Sequence, residues 1–243
     1  MKVYKVKDYD EMSKKAASII AAQVVTAPDS ILGLATGSTP VGTYSYLKKW
    51  YESGSLDFSG ISTVNLDEYK GISRNNEQSY YYFMRKNLFD HVNIKLENTY
   101  IPNGEDEDGE KVCREYEELI GKSNGVDLQL LGIGRNGHIG FNEPSDIFET
   151  GCHCVTLAES TIEANQRFFE KAEEVPKQAY TMGIGTIMKA DKILLLASGE
   201  DKAEALYETI CGKITPQIPA TVLQLHQNVT IIADEAALSK VYK

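Results

Sequence analysis

Short aliphatic and β-branched runs alternate along the chain with longer segments in which apolar residues recur at helical spacing. The runs at 2–6 (KVYKV), 31–35 (ILGLA), 62–66 (STVNL), 126–132 (VDLQLLG), 152–157 (CHCVTL), 192–198 (KILLLAS) and 229–234 (VTIIAD) read as strands. Helix patterns fall at 9–25, 40–52, 77–90, 106–120, 161–170, 201–211 and 235–241. Several of the strands are apolar on consecutive positions, which requires cover on both faces. Such strands alternating with helices predict a three-layer α/β sandwich around a mostly parallel, twisted sheet. No internal repeat, low-complexity tract or Pro-rich linker interrupts the pattern, so residues 1–243 are expected to form a single domain.

In such a sheet ligands bind beyond the carboxyl ends of the strands, so the residues after each run carry the information. After ILGLA come Thr36, Gly37, Ser38 and Thr39, with Pro40 placed for a first helical position and Thr39 for a cap. The free N–H groups of a helix start suit one phosphate monoester, although a capped helix with no ligand would have the same sequence. The G-x-x-x-x-G-K-[ST] pattern of a triphosphate loop is absent. After STVNL stand Asp67 and Glu68; a carboxylate there can serve as a general base, although by residue type an isolated Asp-Glu pair more often caps or pairs on the surface. The aromatic residues of the following helix read as core.

The exit of VDLQLLG continues as GIGRNGHIGFNEP. Gly132, Gly134 and Gly137 match the spacing of a dinucleotide-binding turn, and Glu159 stands about where its acidic partner would. That turn must open a helix, and Gly140 and Pro144 prevent one here, which argues against it. What remains is a glycine-rich loop presenting Asn136, His138, Asn142 and Glu143. A lone His is usually structural, but a His between an amide and a carboxylate can be held in one tautomer and carry protons. After KILLLAS, Lys202 falls in a first helical turn, where Glu200 and Asp201 suit the helix dipole and a cation does not. Either a bound anion or a snorkelled surface side chain accounts for it.

Composition narrows the classes of partner. A formal net charge of −10 opposes nonspecific binding to nucleic acid or to a membrane surface, both polyanionic, but leaves room for a local anion pocket. No apolar stretch has the length of a signal or a membrane span, so a cytoplasmic location is expected. The four cysteines, at 113, 152, 154 and 211, are too few for a disulfide framework. Cys152 and Cys154 share a strand face that excludes His153, and no second cluster is near, so no metal site is expected.

Together LGLATGSTPVGTY, VNLDEY, LLGIGRNGHIGFNEP, NQRFF and TVLQLHQN, in this order from about residue 30 to 235, closely resemble the glucosamine-6-phosphate deaminase family. The resemblance implies an open, Rossmann-like α/β sandwich shared with ribose-5-phosphate isomerases and 6-phosphogluconolactonases. It implies conversion of glucosamine 6-phosphate and water to fructose 6-phosphate and ammonia, without metal or organic cofactor. Carried over by residue, it makes Asp67 the base that moves a proton from C2 to C1. His138 becomes the ring-opening acid/base, with Glu143 and Asn136 orienting or tuning it. The phosphate would rest on Thr36, Gly37, Ser38 and Thr39, with Arg167 and Lys202 closing over it, and residues 158–177 would form a mobile lid.

Two departures from the larger, allosteric members of that family matter. Those have Asp where this chain has Asn136, and a neutral amide raises the pKa of His138 less than a carboxylate would. They also carry basic residues after FNEP and a longer C-terminal tail, whereas SDIFETGCHCVTL has neither Lys nor Arg. A non-allosteric enzyme and a monomer are therefore expected. The rival readings are a 6-phosphogluconolactonase, which needs no C2 base, and a non-catalytic sugar-phosphate sensor, which needs no acid/base set. No Ser or Cys occupies a nucleophile elbow, so covalent acyl chemistry lacks its attacking atom.

Overall fold

Seven parallel strands build the centre of the molecule, and their order explains where a ligand can sit. The computed structural model describes residues 1–122, 125–166, 169 and 175–242. Along the chain run β1 (Lys2–Val6), α1 (Tyr9–Thr26), β2 (Ile31–Leu34), α2 (Val41–Glu52), β3 (Ser62–Asn65), β4 (Asp67–Tyr69) and α3 (Tyr80–Asn87). There follow β5 (Thr99–Tyr100), α4 (Gly109–Lys122), β6 (Leu128–Gly132), β7 (His153–Thr156), α5 (Glu159–Gln166) and β8 (Gln178–Thr181). The chain closes with α6 (Ile184–Ile187), β9 (Ile193–Ala197), α7 (Ala203–Cys211), a 3-10 helix at Pro219–Leu225, and β10 (Val229–Asp234).

The central sheet has the order β1-β10-β9-β6-β2-β3-β5, with every pairing parallel. In β9 every residue is buried, and Leu194 and Leu195 pair with Leu130 and Leu131 of β6. Cover on both faces is what the consecutive apolar pattern required, and each such side chain contributes roughly 1.5–3 kcal/mol on burial. The α/β fold with a mostly parallel sheet is therefore as predicted. A large apolar cluster runs from Met12 of α1 through these strands to Leu238. Strand order turns round between β6 and β2: β3 and β5 lie to one side, β9, β10 and β1 to the other. That is a topological switch point, the place where open α/β sheets bind ligands.

Several expectations need correcting. The run at 152–157 does form a strand, β7, but outside the central sheet: it pairs antiparallel with β8, which pairs antiparallel with β4. Three strands, β4, β5 and β8, were not expected, being short and carrying polar residues. The predicted helix at 235–241 is a series of turns, with Asp234 Oδ1 accepting the Ala237 N–H at 2.8 Å. Among the described residues, no helix is long and apolar enough to cross a membrane.

Candidate active site

The exits of four neighbouring strands, β9, β6, β2 and β3, line a cavity of about 1180 Å³. Thr36, Gly37, Ser38 and Thr39 come from the β2 exit, Asp67 from that of β3, Asn136 and His138 from that of β6, and Ser198 and Lys202 from that of β9. Residues singled out at each of the four exits thus converge on one space, while Glu68, Asn142 and Glu143 are not part of its lining.

Gly37 takes a φ of 83°, a left-handed conformation that favours glycine, and turns the loop into α2. The helix begins one residue later than read: Pro40 holds the cap position, and Thr39 is not the cap. The fixed φ of Pro40 suits the turn itself, and Thr39 instead lines the cavity. Tyr9 steadies the loop, its hydroxyl donating to Ser38 O at 2.8 Å and accepting the Gly42 N–H at 2.9 Å. No local pattern reveals that contact, since it joins residues 29 positions apart.

The structure separates the adjacent carboxylates. Alternation along β4 sends Asp67 to the cavity and Glu68 to the other face. There Glu68 accepts the N–H groups of Tyr69, Tyr80 and Tyr81 at 2.9–3.0 Å and so caps α3 from outside the helix. Burial still pushes Glu68 up to about 7 against those three donors. Asp67 is buried too, and among the described residues no hydrogen bond reaches its carboxylate. Burial first, and then the charge of Glu68, push it up to about 8.

The glycines of the β6 exit now have a physical role. A β-carbon on Gly134 would lie 2.5 Å from the His138 ring, so only glycine leaves room for the imidazole. Gly137, at φ 82°, closes the turn, its N–H bonded to Gly134 O at 3.1 Å while Gly134 N–H bonds His138 O at 2.9 Å. Farther on, the Asn142 amide donates to Ile139 O and Met182 O, both at 2.9 Å, and Phe141 N–H donates to Thr181 Oγ1 at 3.0 Å. Those bonds fasten the loop to β8, and Asn142 is an anchor rather than a reacting group.

Asn136 Nδ2 donates to Glu143 Oε2 at 2.7 Å, and its Oδ1 accepts the His138 backbone N–H at 3.2 Å. An amide can donate to that carboxylate, whereas an ionised Asp in its place would repel it. His138 Nδ1 lies 3.4 Å from Glu143 Oε2, within ion-pair range but without a formed hydrogen bond. Glu143 does not itself line the large cavity. It stands behind His138, bordering a second cavity of about 330 Å³. Burial opposes its ionisation, but the adjacent His138 ring and the donors Thr161 and Asn136 outweigh that and hold it down at about 2.

At the β9 exit Asp234 grips the loop, accepting Ser198 Oγ–H at 2.5 Å and the Gly199 N–H at 3.1 Å. Lys202 closes a 3-10 turn before α7, its Nζ 3.7 Å from Asp201 Oδ2, which also accepts Arg135 Nε–H at 2.8 Å. Arg167, predicted to meet the same anion, lies outside the described residues, as does much of the predicted lid at 158–177 beyond α5. Phe141, Thr161 and Glu163, not singled out from the sequence, also face the cavity, as does Tyr80, one of the aromatic residues read as core. Of these, the aromatic pair is stacked, with ring centroids 6.1 Å apart. Cys152 and Cys154 both turn toward α4, as alternation along a strand predicts.

Residues 7–232 match the family model described as glucosamine-6-phosphate isomerases/6-phosphogluconolactonase. A glucosamine-6-phosphate deaminase of Thermoanaerobacter sp. (strain X514) is 59% identical over 98% of this chain and 94% of its own. One from Clostridioides difficile (strain 630) is 59% identical over 99% and 96%. Among solved structures, a monomeric glucosamine-6-phosphate deaminase superposes with a TM-score of 0.97 at 47% identity, covering 99% of this chain and all of its own. The 6-phosphogluconolactonase of Leishmania guyanensis shares the fold at a TM-score of 0.78 and 20% identity, over 100% and 99% of the two chains.

Proposed function

The chain belongs to the glucosamine-6-phosphate isomerase/6-phosphogluconolactonase family, and from that premise we propose that it is a glucosamine-6-phosphate deaminase acting by acid/base catalysis at the cavity of the four strand exits. The observation that carries this reading is the meeting of Asp67, whose carboxyl is pushed up to about 8, with Asn136 and His138 on one space, Glu143 standing behind His138. A sugar-phosphate hydrolase of the lactonase type would not need Asp67 so placed.

The phosphate of glucosamine 6-phosphate rests on Thr36–Thr39, at the positive N-terminal end of α2, and Lys202 adds positive charge. Arg167 joins it by resemblance. His138 transfers a proton between the ring oxygen and the anomeric hydroxyl, opening the sugar to its C1 aldehyde, and Glu143 stabilises the ring when it is charged. Asp67 then takes the C2 proton, acidified by the adjacent carbonyl, while charge develops on O1. Returning that proton to C1 leaves an imine at C2. Water adds to the imine carbon, ammonia departs and fructose 6-phosphate is left. No step calls for a metal or an organic cofactor. The remaining parts of the reading are a single catalytic domain with residues 158–177 as its lid, a monomer without allosteric control, and a place in the cytoplasm.

The test is ammonia release from glucosamine 6-phosphate, coupled to detection of fructose 6-phosphate, with excess chelator present. Ammonia and fructose 6-phosphate in equal amounts support the reading. Absence of ammonia above background would overturn it, and loss of activity with chelator would overturn the metal-free mechanism. Addition of N-acetylglucosamine 6-phosphate should leave the half-saturating substrate concentration unchanged.

A further inference from the structure

The two oxygens of the Glu143 carboxylate serve different parts of the chain. Oε2 faces the glycine loop, with Asn136 Nδ2 at 2.7 Å and His138 Nδ1 at 3.4 Å. Oε1 faces the start of α5, where Thr161 Oγ–H donates at 2.6 Å and Ala158 N–H at 3.4 Å. The short bond from Thr161 is of the charge-assisted kind, while the contact from Ala158 is too long to hold the carboxylate alone. Thr161 is 5% exposed, and its own N–H bonds Ala158 O at 2.9 Å. Burial and a β-branched side chain leave the hydroxyl few alternative directions.

A carboxylate pinned at one oxygen can swing at the other only by giving up the first bond. The geometry points to Thr161 as a positioning residue for the reaction: by fixing Oε1 from outside the glycine loop, its hydroxyl sets where Oε2 stands beside His138. This rests on the reading of His138 and Glu143 as the ring-opening pair. Thr161 also lines the cavity, but its hydroxyl is given to Glu143 Oε1, so its loss should lower turnover more than binding. Valine in its place keeps the shape, removes the donor and leaves a buried carboxylate oxygen without its strong partner.

The experiment compares Thr161→Val and Thr161→Ser in the full chain by ammonia release from glucosamine 6-phosphate, with melting curves recorded for each. Thr161→Val should lose about 10- to 100-fold in kcat with KM held within about threefold, while Thr161→Ser stays within about threefold of the starting enzyme in both. Added to Glu143→Gln, Thr161→Val should cost little more, because both act through one carboxylate. Should the valine variant not fold, Thr161→Ala against Thr161→Ser gives the same contrast, with serine retaining turnover and alanine losing it. The inference is overturned by normal kcat in Thr161→Val, by a raised KM at unchanged kcat, by serine failing as badly as valine, or by full additivity with Glu143→Gln. An unsubstituted enzyme that releases no ammonia overturns the functional reading itself, whereas an active one with an unimpaired valine variant overturns only the role of Thr161.

Discussion

Asp67 and Glu143 are both withdrawn from water, yet they stand at opposite ends of the carboxylate range, at about 8 and about 2. Burial alone raises both. The difference lies in what each meets: Glu143 has Asn136, Thr161 and the edge of the His138 ring, while Asp67 has the like charge of Glu68 and no donor among the described residues. Two acids whose surroundings push them apart can divide the work. Glu143 stays charged and orients, and Asp67 can accept and return a proton near neutrality. Position agrees, since Asp67 lines the large cavity and Glu143 stands behind His138.

Substitution at the first of these two carboxylates should have the largest effect. Asp67→Asn removes the base and should lower kcat on the order of 10³-fold, while fructose 6-phosphate still binds, as calorimetry can show. Near-normal turnover would instead favour lactonase-type chemistry. Glu143→Gln keeps the shape but not the charge, and should lower kcat on the order of 10²-fold with little change in KM. Lys202→Ala lies outside the comparison and should divide the other way, raising KM about tenfold or more with kcat largely kept, because the phosphate is bound alike throughout the reaction. A kcat loss at Lys202 as great as at Glu143 would blur the distinction between binding and reacting groups.

The same comparison predicts how stability follows pH. Asp67 has its folded pKa raised above the unfolded value, so its contribution is fully present below about pH 4 and lost as pH rises through about 8. Asp67→Asn is free of that loss. Its melting temperature should therefore exceed that of the unsubstituted chain by more at pH 9 than at pH 5, the gap widening by on the order of 5 °C. An equal gap at both values would mean that Asp67 titrates as an exposed acid does.

How far the sequence revealed this arrangement depended on whether the determining contact was local. The apolar runs ILLLA and LQLLG announce strands covered on both faces, and they became β9 and β6. His138, Asn136 and Glu143 lie within one loop, and Asp67 directly follows a strand, so their candidacy was legible. Which of Asp67 and Glu68 faces the cavity was legible only through the family resemblance and not from the local pattern, because DEY does not announce a strand and its partner β8 lies more than a hundred residues on. Nor was the grip of Asp234 on Ser198, 36 positions apart, or that of Thr161 on Glu143, 18 apart. An N-terminal AEST before a helix pattern marks Thr161 as a first-turn residue, but nothing local names the carboxylate it would meet.

The Asp67 side of this split can be read without turnover, by carbon NMR on protein labelled at the aspartate carboxyl carbons, with Asp67→Asn to assign the signal. The Asp67 resonance should titrate with a midpoint of about 8. A midpoint near 4, the ordinary value for an aspartate, would contradict the assignment of Asp67 as a base tuned by burial.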